Sequence, residues 1–443
     1  MANDERTTII VGAGAPLDLD FSEGIMKPST SNITKAVCKP YQNYLDSNPT
    51  GTISLVEDIN ARLSERFPPQ HPLPWSSGGS SSSINFEQIF HVLEMLYSYD
   101  RVWQDACKAP RLYPVFAPFV KPDFKEENFR HLSSVMKQFI TTIMEIIGSY
   151  DKDFKQNIGR HDWYVNFFKE LGGSADIFNF NYDTTIEESV GTYEDGFEKQ
   201  NDEETFMAFN PKRLLANPDG LTTINHLHGC INYYFESYKD INHDAYTNQF
   251  HDLYKYDSYE TVRNIMIGRG QSQPATQSGE SYYAAPIITG LRKTDKLNTS
   301  PFDFYHTKLV ESIIHNPKLI IVGYGFGDYY CNQLLERMYA LHGAACRIVL
   351  IDFWDIPEDM YKWHGGYGLS EELGTFICKM MHNGMFDSAV AELYANKLAK
   401  GFFTSNNSCL MAFPKGFKDA AKNIEEIKSF LEIKQKTNTK IFI

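Results

Sequence analysis

The chain has 443 residues, 42% of them hydrophobic, enough apolar material for one large domain with insertions or for two or three domains. A formal charge of -14 argues against a general nucleic-acid binder, which needs clustered Lys and Arg. Seven scattered cysteines, with no CxxC pair, argue against a disulfide framework and a zinc ribbon and fit reduced thiols in a cytoplasmic protein. The N-terminus has no basic segment followed by a long apolar one, and no apolar run is long enough to span a bilayer, so neither a signal peptide nor a membrane contact is expected.

Thr7 to Val11 is a short β-branched strand flowing into the turn Gly12-Ala13-Gly14-Ala15-Pro16, whose backbone N–H groups could approach a pyrophosphate. The match to GxGxxG is partial, because the third glycine is missing and Pro16 stands where the helix should enter. From about residue 30 to 170 the spacing becomes helical. SLVEDINARLSERF reads as a helix, and Asn85 to Tyr99 puts Phe86, Ile89, Phe90, Leu93 and Leu96 on one face. Glu126 to Gly148 carries an apolar stripe wide enough for a buried helix. Between them, Pro68 to Pro74 and the run SSGGSSSS have too little apolar content to pack and read as a flexible loop.

Asp176 to Phe180 is the next strand and ends in Asn181-Tyr182-Asp183, where Asp183 could simply cap the following helix. TTINHLHGCINYY, from Thr222 to Tyr234, is strand-forming up to the sharp turn that Gly229 permits after His228. His226 shares a strand face with His228, so one of the two can be structural, and Cys230 reads as a small buried hydrophobe. The polar, Tyr-rich stretch Glu236 to Glu280 is expected to be loop. Pro286 to Gly290 is expected to be a strand, and Pro301 to His315 a helix.

Lys318 to Val322, KLIIV, has the fully apolar pattern of a strand buried on both faces of a parallel sheet. It runs into Gly323-Tyr324-Gly325-Phe326-Gly327-Asp328, a second glycine turn before a helix that Asp328 could cap. Arg347 to Asp352 is one more strand ending in an acid, and Ile424 to Ile433 is amphipathic. Strands alternating with helices predict an α/β fold: a Rossmann-like parallel sheet flanked by helices, with a helical insertion after the first strand. Residues 1–360 are expected to form the nucleotide-binding domain, with the insertion at about 30–170, and residues 361–443 a C-terminal helical extension.

Taken together, Gly12-Ala13-Gly14, Asn181-x-Asp183, His228-Gly229 and Gly323-x-Gly325, each at the end of an expected strand, resemble the sirtuin superfamily. The wording NFNYD, HLHG and VGYGFGD is most similar to the sirtuin-like domains of bacterial anti-phage defence systems, which hydrolyse NAD. The resemblance implies NAD as substrate and no metal. It implies that Asn181 positions the attacking water or the ribose hydroxyls and that His228 is a general base. Gly12, Ala13 and Gly14 would hold the pyrophosphate, Asp183 the nicotinamide amide, and Gly323, Gly325 and Asp352 the adenosine half. It also implies a homo-oligomer and, in several such systems, a HerA-like ATPase partner. Two departures lower the odds of acyl-lysine chemistry: the zinc-binding CxxC pairs are absent, and Phe180 replaces the Gln of deacylating sirtuins. A NAD-dependent deacylase and an NAD or ADP-ribose sensor without turnover remain the rival readings.

Overall fold

The computed structural model describes residues 6–39, 55–67, 84–104, 132–199, 205–217, 220–235, 253–268, 285–290, 293, 296–297, 299–353, 376–377, 379–380 and 401–433. Its strands in chain order are β1 (Thr7–Val11), β2 (Ala175–Asn179), β3 (Phe197–Glu198), β4 (Phe206–Phe209), β5 (Thr223–His226) and β6 (Tyr233–Phe235). They continue with β7 (Leu253–Tyr256), β8 (Lys318–Val322), β9 (Arg347–Ile351), β10 (Phe403–Thr404) and β11 (Leu410–Phe413). Seven form the main sheet in the order β10-β11-β9-β8-β1-β2-β5, parallel throughout except for the β10–β11 pair. The other four form an antiparallel sheet, β3-β4-β7-β6.

Both faces of the main sheet are covered, which is why its strands are apolar without alternation. Ile10, Phe178, Leu319, Ile321, Ile348 and Leu350 point to one core, and their neighbours Ile9, Ile177, Ile320, Val322, Val349 and Ile351 to the other. The first core is closed by helices Phe86–Gln104 and Leu132–Gln156 of the insertion, through Phe90, Leu93, Phe139 and Ile143, and by helix Phe302–His315. Each such fully buried side chain contributes about 1.5–3 kcal/mol of burial energy. The second core is closed by helices Asp162–Leu171 and Ile424–Leu431, whose Ile427, Phe430 and Leu431 are buried. The amphipathic face near the C-terminus thus packs on its own sheet.

Three expectations differ from what is observed. Pro286 to Gly290 forms no strand: Ile287 makes a single antiparallel bridge to Gly229, and the Ile288 N–H donates to the His228 carbonyl, beyond the end of β5. The C-terminal part was read as helical, yet β10 and β11 extend the main sheet beside β9, and LMAF, a short apolar run, is buried there. The stretch read as a loop includes β7 and helix Tyr259–Gly268, while 236–252 and 269–284 lie outside the described residues, as does the Gly/Ser run. The stripe expected at Glu126 to Gly148 is a helix described from Leu132 and continuing to Gln156.

Candidate functional site

Because β1, β2, β5 and β8 are parallel neighbours, the turns that follow them open at the same edge of the sheet. From β1 the chain builds outward first to β2 and β5, then returns on the other side to β8. That reversal is the place where open α/β sheets bind ligands. A cavity of about 560 Å³ lies there, within the size range of cofactor sites. Gly12, Ala13, Asn181, His228, Gly325 and Asp328 line it, with Thr30, Asn85, Glu87 and Tyr150 contributed by the insertion.

Two glycine turns meet behind this cavity. The Gly12 N–H donates to the Val322 carbonyl at 2.9 Å and the Gly14 N–H to the Gly323 carbonyl at 2.8 Å. Gly323 adopts φ +57°, and a Cβ there would overlap the Ala15 amide, so the glycines let two backbones touch. This revises the pyrophosphate cradle read from the sequence: the Gly12 and Gly14 donors are already engaged, and Gly14 and Gly323 do not line the cavity. Ala13, Gly325 and Gly327 do line it, and their N–H groups have no partner among the described residues, so they are the candidate backbone donors for an anion.

Asn181 and His228 line the same cavity. The Asn181 Nδ2 donates to the Gly12 carbonyl at 3.0 Å, leaving Oδ1 without a partner among the described residues. The backbone at His228 is fixed from two sides. Its carbonyl accepts the Ile288 N–H at 2.7 Å, and Gly229 turns at φ +88°, where a Cβ would strike the Pro286 carbonyl. The His228 Nε2 lies 3.2 Å from Asp328 Oδ2, and the Phe180 ring stands edge-on to the imidazole at 4.8 Å. Burial pushes His228 below its ordinary pKa, Lys293 adds to this, and the Asp328 hydrogen bond opposes it. Burial would raise Asp328, but the bond to His228 and the Cys331 amide hold it well below the usual carboxylate range. The pair is therefore a neutral imidazole donating through Nε2 to a carboxylate, with the lone pair on Nδ1. Such an arrangement can take a proton.

Asp328 also caps helix Tyr329–Leu335 through the Cys331 N–H at 3.0 Å, so the capping role read from the sequence is real and is joined by a second one. Asp183 and Asp352 do not line the cavity. The Asp183 carboxylate is taken by the Thr185 N–H and hydroxyl and by the Tyr150 hydroxyl, at 3.1, 2.5 and 2.5 Å. It knits the turn to the insertion instead of facing a nicotinamide amide. Asp352 accepts the Phe353 N–H and is pushed up to about 6 by burial. His226 is enclosed, with Nε2 2.6 Å from Glu187 Oε1 and Nδ1 3.3 Å from the Asn181 carbonyl. With Cys230 these residues bring three metal-ligand atoms within 4.8 Å of one another among the described residues. A separation of 2.6 Å is a hydrogen bond; ligand atoms about 2.0–2.1 Å from a tetrahedral metal lie farther apart than that. The trio fits a charged hydrogen-bonded pair better than a metal centre.

Sequence reading missed Glu87 and Lys293, which pair at 2.9 Å in the cavity wall, and Tyr150. Nothing in their local sequence marks them, since the insertion reaches the site only through tertiary packing. Among the described residues no helix is long and apolar enough to cross a membrane.

No curated protein matches the chain. Residues 175–370 match the family model of the SIR2-like domain, which takes in β2, β5, β8 and β9 with Asn181, His228 and Asp328 and leaves β1 and the insertion outside. Residues 175–370 are thus similar to the SIR2-like domain, a family that binds NAD as its substrate.

Proposed function

We propose that the protein is a NAD hydrolase that cleaves the nicotinamide N-glycosidic bond, releasing nicotinamide and ADP-ribose. The observation that carries this reading is that Asn181 and a neutral, carboxylate-backed His228 line one cavity at the reversal point of the sheet. Nicotinamide leaves with the bond's electron pair, which neutralises its ring, and positive charge develops on the ribose. Water adds at the anomeric carbon while its proton passes to the His228 Nδ1. Asp328 stabilises the imidazolium that forms. Asn181 Oδ1 is the free acceptor for that water or for a ribose hydroxyl. Phe180, an apolar ring beside His228, offers no amide of the kind deacylating sirtuins use, which weighs against acyl transfer.

The biological setting belongs to the same proposal: the effector of a bacterial anti-phage defence that depletes NAD, acting as a homo-oligomer beside a HerA-like ATPase. Activity that waits for a partner would spare the producing cell. The test is to purify the chain with its genomic neighbour and follow NAD, nicotinamide and ADP-ribose, beside Asn181→Ala and His228→Ala. Nicotinamide release that both variants abolish is the expected result. An intact NAD pool in the activated assembly would defeat the proposal, with NAD binding alone pointing to a sensor and His228-dependent deacylation of an acyl-peptide to a deacylase.

A further inference from the structure

All three carbonyls of the turn Asn181-Tyr182-Asp183 face groups from the segment that carries His228. The Ile231 N–H donates to the Tyr182 carbonyl at 2.8 Å, and the Cys230 thiol lies 3.9 Å from that of Asp183. His226 Nδ1 lies 3.3 Å from the carbonyl of Asn181 itself. The other His226 nitrogen meets Glu187 Oε1 at 2.6 Å, on the helix that starts directly after the turn. A carbonyl and a carboxylate can only accept, so the imidazole donates to both when each nitrogen carries a proton. We propose that Glu187 and His226 are positioning residues for Asn181: the carboxylate holds His226 doubly protonated, and its second N–H fixes the Asn181 backbone and with it the carboxamide at the cavity.

The charges around this pair agree. Burial opposes protonation of His226, while Cys230 first and then the Glu187 carboxylate favour it, and the balance lies above its ordinary value; burial in turn raises the Cys230 thiol, which leaves the 2.6 Å contact with Glu187 as the lasting partner. Burial would raise Glu187, yet His226 holds it low. The neighbouring Lys255 adds positive charge and is itself paired with Asp195 at 2.5 Å, while the Tyr233 ring packs edge-on to His226 at 5.8 Å. Neither Glu187 nor His226 lines the cavity, so both act through Asn181.

Glu187→Gln in the full chain removes the charge and keeps an acceptor. Its kcat with NAD is expected to fall about tenfold at slightly alkaline pH, the worth of one charge-assisted hydrogen bond, with KM unchanged. Without the carboxylate burial lowers His226, so the ratio of variant to wild-type kcat is expected to recover only as pH falls below the ordinary histidine value of about 6.5, and taking the ratio cancels the acid limb that His228 gives both enzymes. The double variant Glu187→Gln/His226→Gln is expected to lose that recovery. A Glu187→Gln profile parallel to wild type, or recovery that persists in the double variant, overturns the proposal. The kinetic arm rests on the proposed NAD chemistry, so a crystal structure of Glu187→Gln at alkaline pH gives a reading without turnover. Asn181 displaced from the Gly12 carbonyl supports the positioning role even if the wild type leaves NAD intact; Asn181 unmoved overturns it even if NAD is hydrolysed. Should Glu187→Gln fail to fold, His226→Gln is read by the same structure.

Discussion

Two imidazoles two residues apart, each on a carboxylate, are pushed in opposite directions from the ordinary histidine pKa, His226 up and His228 down. His226 closes β5, faces inward, and meets acceptors on both nitrogens, so it holds its proton. His228, one turn further out, has one carboxylate, an aromatic edge and a lysine nearby, and it stays neutral. Burial alone explains neither, since both are nearly inaccessible. What separates them is their surroundings: a fixed carbonyl on the second nitrogen suits His226 to the proposed strut, and a place in the cavity wall suits His228 to the proposed base.

The largest effect expected from breaking this contrast is that of His228→Ala. Loss of a general base costs about a hundredfold to ten-thousandfold in turnover, and nicotinamide release should fall by that much. The unfolding midpoint should fall modestly, because a buried ring is lost and the Asp328 carboxylate keeps only the Cys331 N–H, yet the chain should still fold. A variant that unfolds at room temperature, or one that keeps full activity, would place His228 with His226 as a strut.

A third imidazole sharpens the comparison. His306 is buried on helix Phe302–His315, against the Tyr330 ring and near the Leu227 backbone, with neither nitrogen in a well-formed hydrogen bond among the described residues. Burial, then the nearby His228, pushes it down to about 4, with Asp328 opposing. A depressed histidine contributes stability above its unfolded pKa, near 6.5, which is lost as pH falls toward the folded value. The loss over that window should approach about 3 kcal/mol. Denaturant midpoints measured from pH 7 to pH 4 should show it, and His306→Gln should flatten the curve. A wild-type curve level through that window would mean that His306 is protonated in the fold.

The contrast also shows which features could be seen in the sequence and which could not. The strands of the parallel sheet were legible because TTIIV, ADIFN and KLIIV are apolar or β-branched runs, and the turns at their ends carried Asn181, His228 and Asp328. The role of each turn depended on what packs behind it. Gly12 and Gly14 looked like phosphate donors until the β8 turn, far away in the chain, took their amides. Asp183 has the right spacing from Asn181 for a ligand, but Tyr150 and Thr185 reach it first. Glu87 and Lys293 carry no motif, and LMAF, a four-residue run inside a stretch read as helical, was too short to signal a strand.

The turn directly after His228 offers a smaller break. Gly229→Ala forces a side chain onto φ +88° and against the Pro286 carbonyl, a strain of about 1–3 kcal/mol. It should lower the unfolding midpoint and reduce turnover by moving His228, while His226, upstream of the turn, keeps its partners. Equal unfolding of wild type and variant in a urea titration would argue that the turn relaxes freely.

Asp328→Asn should have the smallest effect, because asparagine caps a helix as well as aspartate and the fold should be spared. Asp328 raises the pKa of His228 against the lowering by burial and Lys293, so its removal lets that pKa fall further. Activity that needs the neutral base rises through this pKa as pH increases, so the acid limb of the kcat profile should move to lower pH. The weaker base and the lost imidazolium partner should lower the plateau about tenfold, the worth of one hydrogen bond to a charge. A profile with the wild-type acid limb would show that another group titrates there. A limb moved upward would mean that Asp328 acts on His228 with the opposite sign, and the neutral-base assignment would fall with it.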